Sequence, residues 1–467
     1  MNIGFKSRLS RWAWLLPGLA LAALVLAGCK GVPTANERLA RREAAALGSI
    51  YRPEGQRAPL PQLAADSTLA DYLRFAMLNQ PAVEAAYFNW LASVERITTE
   101  RSRPDPRLTF ESDIADIVMT VMPGLMQEFP GPGKLKARAE VAHAESQARY
   151  FAFESAVLQT ALALKRAYYN LGFLEEKLRI HRETLALLAD LERSARAQNE
   201  VGKATLQDVY RAQIEQDRLA TEIANLEDSR QPLRAQFKAA LGLTRDQPDP
   251  PFPARFEATP LELPGDLLDI AFARNPRLKQ MEAEVRAAQA SLALAHKAGV
   301  PDFALGLMAD AKAVPVMVRP TASVTLPIWR DKIAAEIAAA QAVRRAAEAR
   351  LTAEQIMLTV EFAEKSYSYR EITRNLALLQ TQLIPKARQS LEIARAGYLS
   401  GRIDFFNLID AERTLLGFQL TEIEARTQRE IVLAELSLLI QGVPPAGAPV
   451  LAAPLTDQEM TLHPQHR

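Results

Sequence analysis

The sequence predicts a mainly α-helical protein with a small membrane β-barrel part, built from one structural unit written twice. Three observations predict it. Residues 73–81 read LRFAMLNQP and residues 268–276 read LDIAFARNP, 195 positions later. Gly202 in NEVGKATLQDVYRAQ recurs as Gly401 in YLSGRIDFFNLIDAE at nearly the same offset, and Phe129-Pro130 recurs as Leu326-Pro327. A near-constant offset implies two similar halves in one chain. Each half carries a Pro-flanked alternating patch, then a long run without helix breakers.

The elements follow in chain order. Lys6, Arg8 and Arg11 precede an apolar run from Trp12 to Leu26. That run has the length of a signal-peptide core and is short for a spanning helix. It ends in Leu26-Ala27-Gly28-Cys29, so residues 1–28 read as a lipoprotein signal peptide. Cys29 is the only cysteine and has no disulfide partner, which suits lipid attachment. Acyl chains on Cys29 would anchor the chain, at about 0.8 kcal/mol per buried CH₂. Lys30 follows; the resemblance to Gram-negative lipoproteins implies that an aspartate there would favour inner-membrane retention and that lysine permits transfer to the outer membrane. Residues 29–65 hold Pro33, Pro53, Pro59 and Pro61 and read as an irregular lipid-anchored extension along the outside of the barrel.

The first repeat covers 66–243. Between Arg107 and Asp116, Leu108, Phe110, Ser112 and Ile114 alternate with Arg107, Thr109, Glu111 and Asp113. That period of two predicts a strand, and Val118–Phe129 predicts a second. Pro104, Pro106 and Pro130 bracket the patch. From Lys134 to Gln198 there is no proline and one glycine, Gly172. An unbroken helix there would reach roughly 95–100 Å. Leu164, Leu171, Leu174, Leu178, Leu185 and Leu188 follow coiled-coil spacing. Gly202 then breaks the helix and Leu206–Leu241 returns antiparallel to it.

A Pro-rich linker occupies 244–264. The second repeat, 265–442, predicts strands over 302–326, bracketed by Pro301, Pro315 and Pro327, then a helical hairpin over 331–440 that turns at Gly401. Residues 443–467 read as a flexible tail. The strands, about ten residues each, are long enough to cross an outer membrane when tilted. Four strands cannot close a barrel, which needs about eight. Open edges in a bilayer leave backbone groups unpaired. Several chains must therefore share one barrel.

Lipobox, duplicated halves, strand pairs, long hairpins and Gly-centred turns together resemble the TolC-like outer membrane factors of tripartite efflux pumps. The resemblance covers roughly residues 66 to 442. Its most specific pieces are Gln127-Glu128-Phe129-Pro130-Gly131-Pro132-Gly133-Lys134, and Tyr398-Leu399-Ser400-Gly401 with Asn407-Leu408-Ile409-Asp410-Ala411. It implies a homotrimer with one 12-stranded barrel and a helical tunnel about 100 Å long across the periplasm. It also implies a periplasmic adaptor (membrane fusion protein) and an inner-membrane RND-type or ABC-type transporter as partners, besides outer membrane lipids. The cell outer membrane of a Gram-negative bacterium is the expected location.

The motifs have physical roles that suit this. Pro130, Gly131, Pro132 and Gly133 can continue neither strand nor helix, so the chain must re-aim there, as it must at Pro327. Trp329 is placed for an aromatic belt at the membrane face. In the family the last inner helix begins with two acidic residues three apart, whose threefold repetition narrows the entrance. The matching positions are Asn407 and Asp410, so only the second keeps the charge. Asp208 and Arg211 are their counterparts in the first repeat, and an Asp208–Arg pair is a candidate lock between hairpins. The alternative for all four is a solvated coiled-coil face.

Other functions fit less well. The chain carries 56 basic and 55 acidic residues, a net charge of +1, which argues against nucleic acid as a partner. Its five histidines are scattered and no Cys/His ligand set exists, so neither a cofactor, a zinc site nor an enzyme is expected. Gly131-Pro132-Gly133-Lys134 lacks P-loop spacing. Met119, Met122 and Met126 in the first patch, with Met308 and Met317 in the second, form a speculative soft-metal group; apolar filling is the plainer reading. This group and the FPGPGK stretch lean toward the heavy-metal side of the family, with drugs the other cargo. A periplasmic adaptor would need flanking β domains and one hairpin. A purely structural coiled-coil lipoprotein would not need the alternating patches.

Overall fold

The computed structural model describes residues 31–115, 118–251, 267–310 and 316–440. The signal segment, Cys29, most of the Pro-rich linker and the C-terminal tail lie outside the described residues. The first repeat begins with α1 (Ala35–Tyr51), α2 (Leu69–Asn79) and α3 (Pro81–Arg101). Strands β1 (Arg107–Ala115) and β2 (Val118–Phe129) precede the hairpin of α4 (Lys134–Glu200) and α5 (Leu206–Ala240). The second repeat contains α6 (Leu267–Arg274), α7 (Pro276–Ala295), β3 (Phe303–Asp310) and β4 (Met317–Val324). Its hairpin is α8 (Arg330–Leu378), a π turn (Leu379–Leu383), α9 (Ile384–Leu399) and α10 (Phe405–Ile440).

Helix α4 is the spine. Its 67 residues give a length of about 100 Å. Leu164, Leu171, Leu174, Leu178 and Leu188 are all buried, as a seam of threes, fours and sevens requires. α3, α5, α7 and α10 all pack along α4. Near its start Phe153 is fully buried beside Trp90, with ring centroids 6.2 Å apart, and edge-on to Tyr51 and Tyr87. Ring pairs of this kind add about 0.5–1.5 kcal/mol beyond their area. The second long helix runs without a gap but changes pitch part-way, over Leu379–Leu383. Pro385 has no N–H and its ring crowds the carbonyl four residues back. The wider π turn just before it absorbs the misfit without stopping the helix.

The duplicated LRFAMLNQP and LDIAFARNP segments close each repeat on itself. Gln80 and Asn275 are the caps before Pro81 and Pro276. The Gln80 amide donates to the carbonyl of Ala239 at the end of α5, and that of Asn275 to Leu439 at the end of α10. Asn79 also donates to the Leu241 carbonyl. Gly242 must be glycine: its φ is +73°, and a Cβ there would lie 2.8 Å from the Asn79 carbonyl oxygen.

The four strands form one antiparallel sheet in the order β1-β2-β3-β4, with Leu108 opposite Leu125, Leu125 opposite Leu307, and Leu307 opposite Pro320. Alternation sorts the residues onto two faces. Leu108, Phe110, Leu125, Leu305, Leu307 and Val318 form an exposed apolar face. Thr109, Glu111, Arg319 and Thr321 take the opposite parity, with Met122, Met126 and Met308. Met122 and Ala304 are buried on this second face.

Two readings of the sequence need correction. Met119 pairs with Ile114 in the register, which gives it the parity opposite to Met122 and Met126. One strand cannot put all three methionines on one face. The N-terminal extension is not irregular throughout. Thr34 caps a helix by accepting from the Glu37 N–H, and α1 then packs on α3 and α4, not on the sheet. Buried Glu37 carries the attachment through Arg101 and Thr98 on α3, and Arg41 of α1 adds bonds to Glu95 and Thr98.

Candidate functional site

Two places position the residues that the motifs single out: the strand-to-helix junction and the hairpin tips. At the junction the Gly131 N–H donates to the Asp302 carboxylate at 2.6 Å, and the Lys134 ammonium lies 2.8 Å from the same oxygen. This ties the start of α4 to the start of β3. Burial pushes the Asp302 pKa up, but Lys134 and the Gly131 amide outweigh it and hold the carboxyl below its ordinary value. A Cβ on Gly131 would lie 2.4 Å from the Pro301 carbonyl oxygen, so the residue type is fixed by that approach. Gly133 caps α4 with φ +83°. In the second repeat Pro327 leads into Trp329, which is 73% exposed and caps α8. Asp302 escaped the sequence reading, although the Pro-Asp pair at 301–302 repeats the Pro-Asp pair at 104–105.

At the far end, Gly202 and Gly401 adopt φ +74° and +73° and turn both hairpins. The tips pack together. Leu191, Val209, Leu391, Phe405 and Leu408 share one core, and Tyr398 lies 5.2 Å from the Phe405 ring. Asn407 and Asp410 are exposed on the first turns of α10, and Asn407 donates its N–H to Asp404. Asp208 accepts the Thr205 N–H at 3.1 Å, closing the start of α5. Arg211 places its guanidinium 5.6 Å from the centre of the Phe406 ring, a cation–π contact between the hairpins. Within this chain, among the described residues, Asp208 and Arg211 are thus engaged separately and not with each other.

The sequence reading also missed Glu215, Glu412 and Arg413. Arg413 pairs with Glu215 across the two hairpins. Glu412, the residue before Arg413 in α10, is buried. Burial, and then the charge of Glu215, push its pKa up to about 7, against the pull of Arg413. Arg413 lies three residues after Asp410, a spacing that would have placed it on the same helix flank.

A sheet with one apolar and one polar face, joined to a helical bundle about 100 Å long, defines a class of protein that links a membrane to a distant tip. The comparisons place the chain within that class. The model of the outer membrane efflux protein family matches residues 74–243 and 267–442, and the chain belongs to this family. Its members are channels and not enzymes. The probable outer membrane lipoprotein SilC of Salmonella typhimurium is 26% identical over 316 residues, 64% of this chain and 67% of that protein. The cobalt-zinc-cadmium resistance protein CzcC of Cupriavidus metallidurans is 23% identical over 262 residues, 53% of this chain and 60% of that protein. The chain thus spans two thirds of the first relative and less of the second. The solved structure of CusC shares the fold with a TM-score of 0.72 at 17% identity, over 83% of this chain and 95% of that one.

Proposed function

We propose that three copies of this chain form the exit duct of a tripartite efflux pump, anchored at Cys29 in the outer membrane, with metal ions as cargo. One observation carries the reading: an antiparallel sheet of four strands, apolar on one face, whose outer strands β1 and β4 have no further neighbour among the described residues. A sheet of this kind in a bilayer needs partners at both edges. Three copies supply twelve strands, with Leu108, Phe110, Leu305 and Leu307 toward lipid. The exposed Leu326, Ile328 and Trp329 then sit at the periplasmic membrane face. The names of SilC and CzcC favour the lipid anchor and a metal cargo. Palmitate labelling that is lost in Cys29→Ser tests the anchor; labelling that persists contradicts it.

The tips form the entrance, where the adaptor and inner-membrane transporter deliver cargo. Asp410 supplies one carboxylate per chain, and three like charges near an axis attract cations and hinder anions. Asn407 adds a neutral ring one turn earlier. Arg211 holds the first hairpin against the second through the Phe406 ring, and Asp208 closes the start of α5 beside it. Conductance of the purified protein in planar bilayers tests the reading. Asp410→Ala should lower cation selectivity and weaken block by multivalent cations, and Arg211→Ala should raise the open probability. Unchanged selectivity and unchanged block in Asp410→Ala would remove that residue from the entrance.

A further inference from the structure

One end of the sheet carries cations that neither the barrel closure nor the entrance uses. It is the end that meets the helices, where β1 and β3 start and β2 and β4 finish. Phe129 faces Phe303 across the ladder there, and Phe303 faces Val324. Directly opposite residues share a face. These three therefore form the last row of the apolar face that carries Leu125, Leu305 and Leu307. The Arg103 guanidinium lies over the Phe129 ring, 5.3 Å from its centre. The Gln127 amide, on the same face, donates to the Pro104 carbonyl at 2.7 Å and holds the chain in place. Arg103 is thereby fixed on the apolar side of the sheet, at its border with the helices. At the other edge β4 runs out into Leu326, Ile328 and Trp329, all exposed, and Arg330 begins α8.

The cations of this rim fall into two groups. Arg107 pairs with Glu128 on the polar face, Lys134 with Asp302, and Lys332 with Glu336 one turn on. Arg103 and Arg330 make no ion pair among the described residues, and Asp105 and Asp331, their nearest carboxylates in sequence, are not bound to them. The two unpaired guanidinium groups are thus the two that stand beside exposed apolar side chains. The anion found at the border of a lipid-facing surface is the headgroup phosphate. A planar guanidinium matches phosphate oxygens with two parallel N–H donors. Stacking on a ring leaves those in-plane donors free.

We propose that Arg103 and Arg330, backed by Phe129 and Trp329, form a docking rim for anionic phospholipid in the periplasmic leaflet of the outer membrane. The proposal rests on the duct reading, which turns the apolar face toward lipid. Closing the barrel lays β4 of one copy beside β1 of the next. Arg330 of one chain and Arg103 of its neighbour then border the same seam. A headgroup bound there neutralises cations of two chains and ties them together, one site per seam.

Native mass spectrometry of the detergent-solubilised full-length protein, titrated with phosphatidylglycerol or phosphatidylcholine, tests the rim. The wild type should retain phosphatidylglycerol in preference, with each arginine contributing about fivefold. Arg103→Gln combined with Arg330→Gln should lower that preference at least about tenfold. Arg107→Gln combined with Arg319→Gln removes the same charge from the polar face and should leave the preference unchanged. No preference in the wild type, or a preference that survives in the first variant, overturns the rim. Equal loss in both variants overturns it too, because net charge alone would then act. Excess inorganic phosphate should not displace the lipid; displacement would mark a phosphate site with no part for the acyl chains and overturns the lipid reading. If the first variant fails to assemble, brominated lipids decide on the wild type. Trp329 emission, taken as the difference from Trp329→Phe, should be quenched more by brominated phosphatidylglycerol than by brominated phosphatidylcholine at equal mole fraction. Equal quenching overturns the rim. The assembly state keeps the two readings apart. A trimer with no lipid preference removes the rim and leaves the duct. A protein that never assembles removes the duct, and the rim with it.

Discussion

The two long helices have the same place in their repeats and opposite surroundings. α4 buries residues along most of its length, from Ala139 to Ala195. α8 buries only Ala347, Leu358 and Leu376 in 49 residues. It leaves Val343, Ile356, Met357, Val360 and Tyr367 exposed. Both helices are rich in alanine and leucine, so propensity does not separate them. Position does. α4 is enclosed by α3, α5, α7 and α10, whereas α8 meets α7 and α10 and leaves a flank open. An exposed apolar strip of this length marks a surface made for a partner. The first repeat stabilises the chain, and in the proposed trimer the second repeat stabilises the assembly.

That contrast can be broken from either side. The largest effect is expected on assembly. The double variant Ile356→Asp, Met357→Asp should abolish trimers in native mass spectrometry yet leave the helical circular dichroism of the chain intact. Loss of the helical signal as well would place α8 in the chain's own core. Phe153→Ala in α4 should do the reverse and cost the fold about 3–5 kcal/mol, the range for a buried aromatic. A shift in chemical unfolding below about 1 kcal/mol would contradict the packing described for Trp90, Tyr51 and Tyr87.

The two ends of the molecule should also answer pH with opposite sign. Burial raises the Glu37 pKa, but the hydrogen bonds from Arg101 and Thr98 and the charge of Arg101 outweigh it and lower it to about 2. A depressed carboxyl pKa stabilises above the unfolded value of 4.5, and that contribution is lost as pH falls toward 2. Glu412 is raised to about 7, so its contribution is full below 4.5 and is lost as pH rises through 7. Each shift amounts to about 3 kcal/mol by linkage. Hydrogen exchange should show α1 loosening in acid and the tip of α10 loosening above neutrality. Glu412→Gln should make the tip insensitive to pH; a tip that still loosens with pH in that variant contradicts the assignment.

The smallest effect is expected at the turns. Gly202 and Gly401 need positive φ but have open space around the Cβ position. Alanine there should cost about 1 kcal/mol each, from backbone strain alone. A much larger loss in thermal unfolding would mean that the turns are packed against something in the assembly.

The legible parts of this fold are those governed by local rules. Helix α4 is visible as a stretch without proline, and the strands as a period of two between prolines. Helix α1 hides behind its flanking prolines, although Thr34 and Glu37 carry the spacing of a capping pair. Asp302, Glu215 and Arg413 were illegible for a different reason. Each finds its partner between 168 and 198 residues away, and only the fold brings the partners together. The parity error at Met119 has a third cause. Spacing along a strand shows which residues share a face only when every odd and even step is counted, and 119, 122 and 126 mix the two.

The central claim is that three chains share one barrel, and the stoichiometry of the detergent-extracted protein tests it most directly. Native mass spectrometry of the full-length protein should give a trimer, with the amides of β1 and β4 protected from exchange because each edge has found a neighbour. A stable monomer whose β1 and β4 amides are equally protected would contradict it, since a single chain would then have closed its own sheet.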